Sequence, residues 1–300
     1  MSIFVFDAYG TLFDVHAAIA RHRGDAGPDA DRMSEIWRGK QLEYTWTLSL
    51  AGHYADFWTL TGRALDYSLE RVPSVPKSLK AKLLEAYFQL DAFPDARVAL
   101  RALKAKGHQT GILSNGSPNM LKGAVDAAGI GGELDAVLSV DVLKMFKPRP
   151  EVYRLVTEHY QCKPGEVTFV SSNRWDVMAG TSVGFRGVWV NRGRMPDEYA
   201  ELAPVRVLSG LGGLAEALNQ MAASLRRREE TSRLREAEPV GRRGSAEKRR
   251  REGDGRWEPG NQRLEGIPGV GIIGVLHVQV PLCVKSIRID FRIVVVFFDP

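Results

Sequence analysis

The stretch IFVFDAYGTLF (3–13) decides how the rest of the chain is read. Four apolar residues, IFVF (3–6), run without a polar break, stop at Asp7 and are followed by a glycine at Gly10. That is the pattern of a short strand buried on both faces and ended by turn formers. A secretory leader would need a charged start and a longer apolar region. Neither is present, so a cytoplasmic location is expected.

Outward from this segment the same signature returns at TGIL (110–113), AVLSV (136–140), VTFV (167–170), GVWV (187–190) and VRVL (205–208). Helical patterns lie between these runs, at 95–106, at 118–128 before Gly129, and at 150–160 after Pro148. Strands alternating with helices of this length predict right-handed βαβ units and an α/β fold with a doubly wound parallel sheet. Such sheets bind ligands at the carboxyl ends of their strands. Residues 14–94 interrupt the alternation with helical patterns only; Leu79, Leu83, Tyr87 and Leu90, for example, are spaced to share one face. The expected organisation is a core from 1–13 and 95–222 with an inserted helical cap subdomain from 14–94.

Composition narrows the class. The 300 residues are 44% hydrophobic and 26% charged, which excludes a wholly disordered or collagen-like chain. Two cysteines, Cys162 and Cys283, make neither a zinc ribbon nor a disulfide framework, and Cys162 reads as a small structural residue. The six histidines do not fall at metal-ligand spacing. No run approaches the eighteen or so apolar residues of a membrane span. The net charge of +5 is local: residues 1–225 hold 25 basic and 25 acidic side chains, 226–256 hold 12 and 7, and 257–300 hold 4 of each.

The charge-dense segment 223–256 reads as a basic disordered tail, because it lacks the apolar side chains of a core. The glycine-rich, apolar segment 257–300 makes no convincing domain, and the abrupt change suits a shifted reading frame or a fused scrap of sequence. Within it Gly269, Gly271 and Gly274 match G-x-G-x-x-G, but Pro268 precedes them and a strand-like VLHVQV follows, the wrong context for a dinucleotide site. The arginine clusters at 226–228 and 249–251 have no aromatic interleaving, so no nucleic-acid partner is expected, although binding through this tail is one rival reading.

The residues after each strand carry the chemistry. Strand one ends at Asp7, strand two at Ser114-Asn115-Gly116, the third is followed by Lys147, and the fourth ends in Ser171-Ser172-Asn173 with Trp175 and Asp176 next. An aspartate there can act as a nucleophile, forming an ester that water opens. A neighbouring lysine holds it ionised and attracts an anionic substrate. Taken singly, each has a plainer reading: Asp7 as a turn former, Lys147 as a surface lysine, Arg38 as a helix residue pairing with Glu35, Ser171 as a helix cap, and Trp175, Phe57 and Leu42 as core.

DAYGT (7–11), ILSNGS (112–117), FKPRPEVY (146–153) and FVSSNRWD (169–176), in that order, resemble the four motifs of the haloacid dehalogenase superfamily. The string IWRGKQLEYTWTLSLAGHYADFW (36–58) is similar to the cap of its (S)-2-haloacid dehalogenases. The resemblance implies a HAD-like Rossmannoid core that hydrolyses (S)-2-haloacids to (R)-2-hydroxyacids and halide, with water and a small 2-haloacid as its only partners, no membrane, and homodimers common.

By the same resemblance Asp7 attacks carbon, Thr11 orients it, Arg38 with Asn115 receives the halide, and Ser114 and Lys147 hold the substrate carboxylate with Tyr153 supporting Lys147. Ser171, Asn173 and Asp176 arrange ester hydrolysis, and Tyr9, Leu42, Phe57 and Trp175 form an apolar wall. Superfamily phosphatases carry a second aspartate where this chain has Tyr9, so neither cofactor nor metal is expected. A magnesium-dependent phosphatase is the nearer rival, and opening of a strained ring by the same aspartate stays open. One departure stands out: Gly39 replaces the family's usual glutamine, which implies a looser wall or an altered substrate size.

Overall fold

The computed structural model describes residues 2–214 together with Glu216. Expectations for 223–256 and 257–300, including Gly269, Gly271, Gly274 and the arginine clusters, lie outside the described residues, as does 217–222 of the expected core.

Six parallel strands form the sheet: β1 Ile3–Phe6, β2 Gln109–Ser114, β3 Ala136–Ser139, β4 Val167–Ser171, β5 Arg186–Val190 and β6 Arg206–Leu208. Their order is β3-β2-β1-β4-β5-β6. All six apolar runs of the sequence are therefore strands, with ends within a residue of those expected. β1 and β4 are buried throughout, which is why they read as unbroken apolar runs.

In chain order the helices are α1 Ala17–Ala20, α2 Arg23–Ala26, α3 Ala30–Leu50, α4 Phe57–Arg71, α5 Lys80–Phe88, α6 Ala96–Ala105, α7 Pro118–Ala128, α8 Pro150–Tyr160 and α9 Arg174–Ser182. Gly129, at φ 62°, ends α7 in the left-handed turn that glycine adopts without penalty. Helices α1 to α5 all fall between β1 and β2. Asp56 starts α4, accepting from the backbone N–H groups of Trp58 at 3.0 Å and Thr59 at 3.1 Å. Leu79, Leu83, Tyr87 and Leu90 are all buried, although α5 ends at Phe88 and Leu90 lies beyond it.

The chain leaves the sheet and returns along one narrow path. The Asp14 N–H donates to Asp91 O at 2.9 Å and the Phe93 N–H to Leu12 O at 2.8 Å, so the outgoing and returning segments pair side by side. Among the described residues no helix is long and apolar enough to cross a membrane.

Candidate active site

Register brings three strand ends together. Phe6 of β1 pairs with Ile112 of β2 and Val170 of β4, so Asp7, Ser114-Asn115 and Ser171-Ser172-Asn173 emerge at one edge beside the point where strand order reverses. The buried Asp7 carboxylate is held by donors on several sides. Its Oδ2 accepts from Asn173 Nδ2 at 2.8 Å, Thr11 Oγ1 at 3.2 Å and Ser171 Oγ at 3.5 Å, while Oδ1 accepts, among the described residues, from Lys147 Nζ alone, at 3.1 Å. Gly10, at φ 93°, lets the chain turn back beneath the carboxylate. Ser172 locks that turn: its N–H donates to Thr11 Oγ1 at 2.8 Å and its hydroxyl to Gly10 O at 2.5 Å. Ser171 Oγ also accepts from the Asn173 N–H at 3.1 Å, so it shapes the entry to α9 as well as facing Asp7.

Lys147 is not a surface lysine. It is 1% exposed, and its ammonium stands between two carboxylates, Asp7 at 3.1 Å and Asp176 Oδ2 at 2.9 Å. Burial works against the charged form, but the two carboxylates outweigh it and raise the lysine above its usual range. Burial pushes Asp176 up to about 6, against the opposing Lys147 charge. Tyr153, expected beside Lys147, stands one step away: its hydroxyl donates to Asp176 Oδ1 at 2.6 Å, and Asp176 in turn meets the ammonium. Any support that Tyr153 gives Lys147 therefore runs through Asp176.

The cleft over Asp7 is lined by Tyr9, Arg38, Leu42, Phe57, Ser114, Asn115, Lys147, Asn173 and Trp175. Thr11, Ser171, Tyr153 and Asp176 stand behind this lining. Space open to a water-sized sphere is about 10 Å³, close to the lower limit for one water. Asn115 Oδ1 is occupied by the Lys147 N–H at 3.0 Å, and Ser114 Oγ accepts from the Gly116 N–H at 3.1 Å. Tyr9 stacks on Tyr87 with centroids 5.8 Å apart, and its buried hydroxyl has no hydrogen-bond partner. Gly39 is exposed, and a Cβ there would meet nothing within 4 Å, so it is no part of the lining.

Arg38 pairs with Gln41, not Glu35: Nη1 donates to Gln41 Oε1 at 2.7 Å and Nη2 to the Tyr9 carbonyl at 3.0 Å. Sequence reading passed over Gln41, and took Tyr87 only as part of a helix face and Ser172 only as a strand-end residue. Gln41 had a signal, because it falls in phase with Met33, Trp37 and Thr45 on the buried stripe of α3. Among the described residues no group of three or more His, Cys, Asp or Glu side chains is placed to hold a metal ion.

Comparison with known proteins gives the family. The family model for haloacid dehalogenase-like hydrolases matches residues 1–184. The chain is 46% identical to (S)-2-haloacid dehalogenase 1 of Pseudomonas sp. (strain CBS-3) over 71% of its own length and 95% of that protein. It is 45% identical to (S)-2-haloacid dehalogenase 4A of Burkholderia cepacia, over 67% and 87%. Among solved structures, the L-2-haloacid dehalogenase from Xanthobacter autotrophicus with chloropropionic acid covalently bound superposes with a TM-score of 0.68 at 38% identity, over 74% of this chain and 99% of that one. By its matched motifs, its fold and these relatives, the chain belongs to the haloacid dehalogenase-like hydrolase family.

Proposed function

We propose that this protein hydrolyses (S)-2-haloacids to (R)-2-hydroxyacids and halide through an ester on Asp7. The observation that carries the reading is the Asp7 carboxylate, buried and fixed by four side chains in a cleft whose next residue but one is a tyrosine. Oδ1 carries a single hydrogen bond against three on Oδ2, so its lone pairs are the freer to attack the substrate C2 from the face opposite halogen. The C–O bond forms as the C–halogen bond breaks, inverting the carbon. Exclusion of water from the cleft strengthens a carboxylate toward carbon.

Arg38, with the amide hydrogens of Asn115, receives the departing halide. Lys147 and Ser114 hold the substrate carboxylate, and Leu42, Phe57, Trp175 and the Tyr9 ring enclose its carbon chain. Water then adds to the Asp7 carbonyl carbon and passes a proton toward Asp176, with Asn173 and Ser171 fixing the ester. The intermediate collapses as that proton passes from Asp176 to the departing alkoxide oxygen, leaving one former Asp7 oxygen in the hydroxyacid and restoring the carboxylate with an oxygen from water, whose second proton is released to solvent. We also propose the division of labour between a core of 1–13 and 95–222 and a cap of 14–94, with the wall supplied from both.

Halide needs no protonation to leave, so Tyr9 costs this reaction nothing, whereas an alkoxide leaving from phosphate would lack its acid. The test is one turnover in heavy-oxygen water with enzyme in excess. The first hydroxyacid should carry ordinary oxygen, with label entering the protein. Chloride release from 2-chloropropionate should persist in EDTA. Phosphate release from monoesters that appears only with magnesium, without halide release, would overturn the reading.

A further inference from the structure

We infer that Gln41 is the positioning residue for the Arg38 guanidinium, and that through it the cleft discriminates among leaving halides; this rests on the reading of the cleft given above. Gln41 is 1% exposed, and a buried amide is stable only when its donors and acceptors are met. Its Oε1 accepts from Arg38 Nη1 at 2.7 Å and from the Tyr87 hydroxyl at 3.1 Å. Its Nε2 donates to Thr61 Oγ1 at 2.7 Å, and the Thr61 hydroxyl donates to Phe57 O at 2.7 Å. One amide thus joins α3, α4 and α5. The chain of donors also fixes which way it faces, because a flipped amide would present N–H groups to the guanidinium.

The acceptors chosen for Arg38 are both neutral, an amide oxygen and a peptide carbonyl. A carboxylate at position 41 would hold the guanidinium in the same place but cancel its charge. A neutral amide fixes direction and leaves the positive charge for an arriving anion. The Tyr87 phenol, raised by burial, stays protonated and keeps donating to Oε1. Chloride is a poorer leaving group than bromide, so its departure depends more on the guanidinium being in place.

The experiment compares wild type, Gln41→Leu and Gln41→Glu on 2-chloropropionate and 2-bromopropionate, with inhibition by added bromide as a second readout. Both variants should slow the chloro acid about tenfold or more beyond any loss on the bromo acid, as expected for losing or neutralising a charge-assisted contact. Gln41→Glu, nearly isosteric, should also weaken bromide inhibition, and it decides the matter if Gln41→Leu does not fold. A merely structural role would slow both substrates by one factor and leave bromide inhibition unchanged; that result in the folded variants overturns this inference alone. Wild-type protein releasing no halide from either acid would overturn the reading of the cleft and this inference with it.

Discussion

Replacing Lys147 by methionine keeps the buried stem and removes the ammonium 3.1 Å from Asp7 and 2.9 Å from Asp176. Two carboxylates are then left in a site almost without exposed surface. Breaking a buried ion pair on one side costs about 3–5 kcal/mol. With the opposing Lys147 charge gone, burial drives Asp176 further above the ordinary carboxylate range. Above the ordinary carboxylate range the folded variant therefore binds a proton that the unfolded chain has released, and its stability falls as pH rises. Below that range both states are protonated and the penalty disappears. Urea unfolding between pH 5 and 9 should place Lys147→Met about 3–5 kcal/mol below wild type at pH 8, with the gap narrowing toward pH 5. A variant within about 1 kcal/mol of wild type at pH 8, with the same pH slope, would refute the account of the ammonium holding both carboxylates.

Three further outcomes are expected. Asp176, pushed up to about 6, takes a proton as pH falls through that value, weakening its hold on Lys147 and its capacity to accept the hydrolytic proton; kcat should fall on the acid side of a pH–rate profile, and a flat profile down to pH 5 contradicts the assignment. A Cβ at Gly116 would lie 2.6 Å from Tyr9 Cε2, so Gly116→Ala drives the ring toward the cleft and should raise KM for 2-chloropropionate at a stability cost of about 1–3 kcal/mol in urea unfolding. Gly10→Ala forces a side chain onto φ 93°, costing at least about 1–2 kcal/mol, and disturbs the turn that carries Thr11 and Ser172; halide release should slow in the folded protein, and wild-type rates would count against the turn's role.

The sheet was legible because parallel strands buried on both faces leave unbroken apolar runs, as at 3–6 and 167–170, and glycine and proline punctuate the helices between them. The cluster at its edge was legible for the same reason, since topology alone brings residues after β1, β2 and β4 together. What escaped depends on side-chain reach. Tyr153 lies three residues after Pro150 in α8, and nothing in that spacing says its hydroxyl meets Asp176 before Lys147. Gln41 was readable only as a polar residue in phase with an apolar stripe, and its partners come from helices 20 and 46 residues further along. Gly39 showed the reverse: a position weighted by its place in a motif faces open space.

The paired passages at 12–14 and 91–93 have a kinetic consequence. With room beside Asp7 for scarcely one solvent molecule, a substrate-sized acid requires the lining to give way, and these two backbone pairs are where a movement of 14–94 against the strands would be expected to bend. If so, for acids bearing the weakest carbon–halogen bonds this movement is expected to become slower than bond breaking. Bromo and iodo acids should then converge on a common maximal turnover that drops as glycerol thickens the medium.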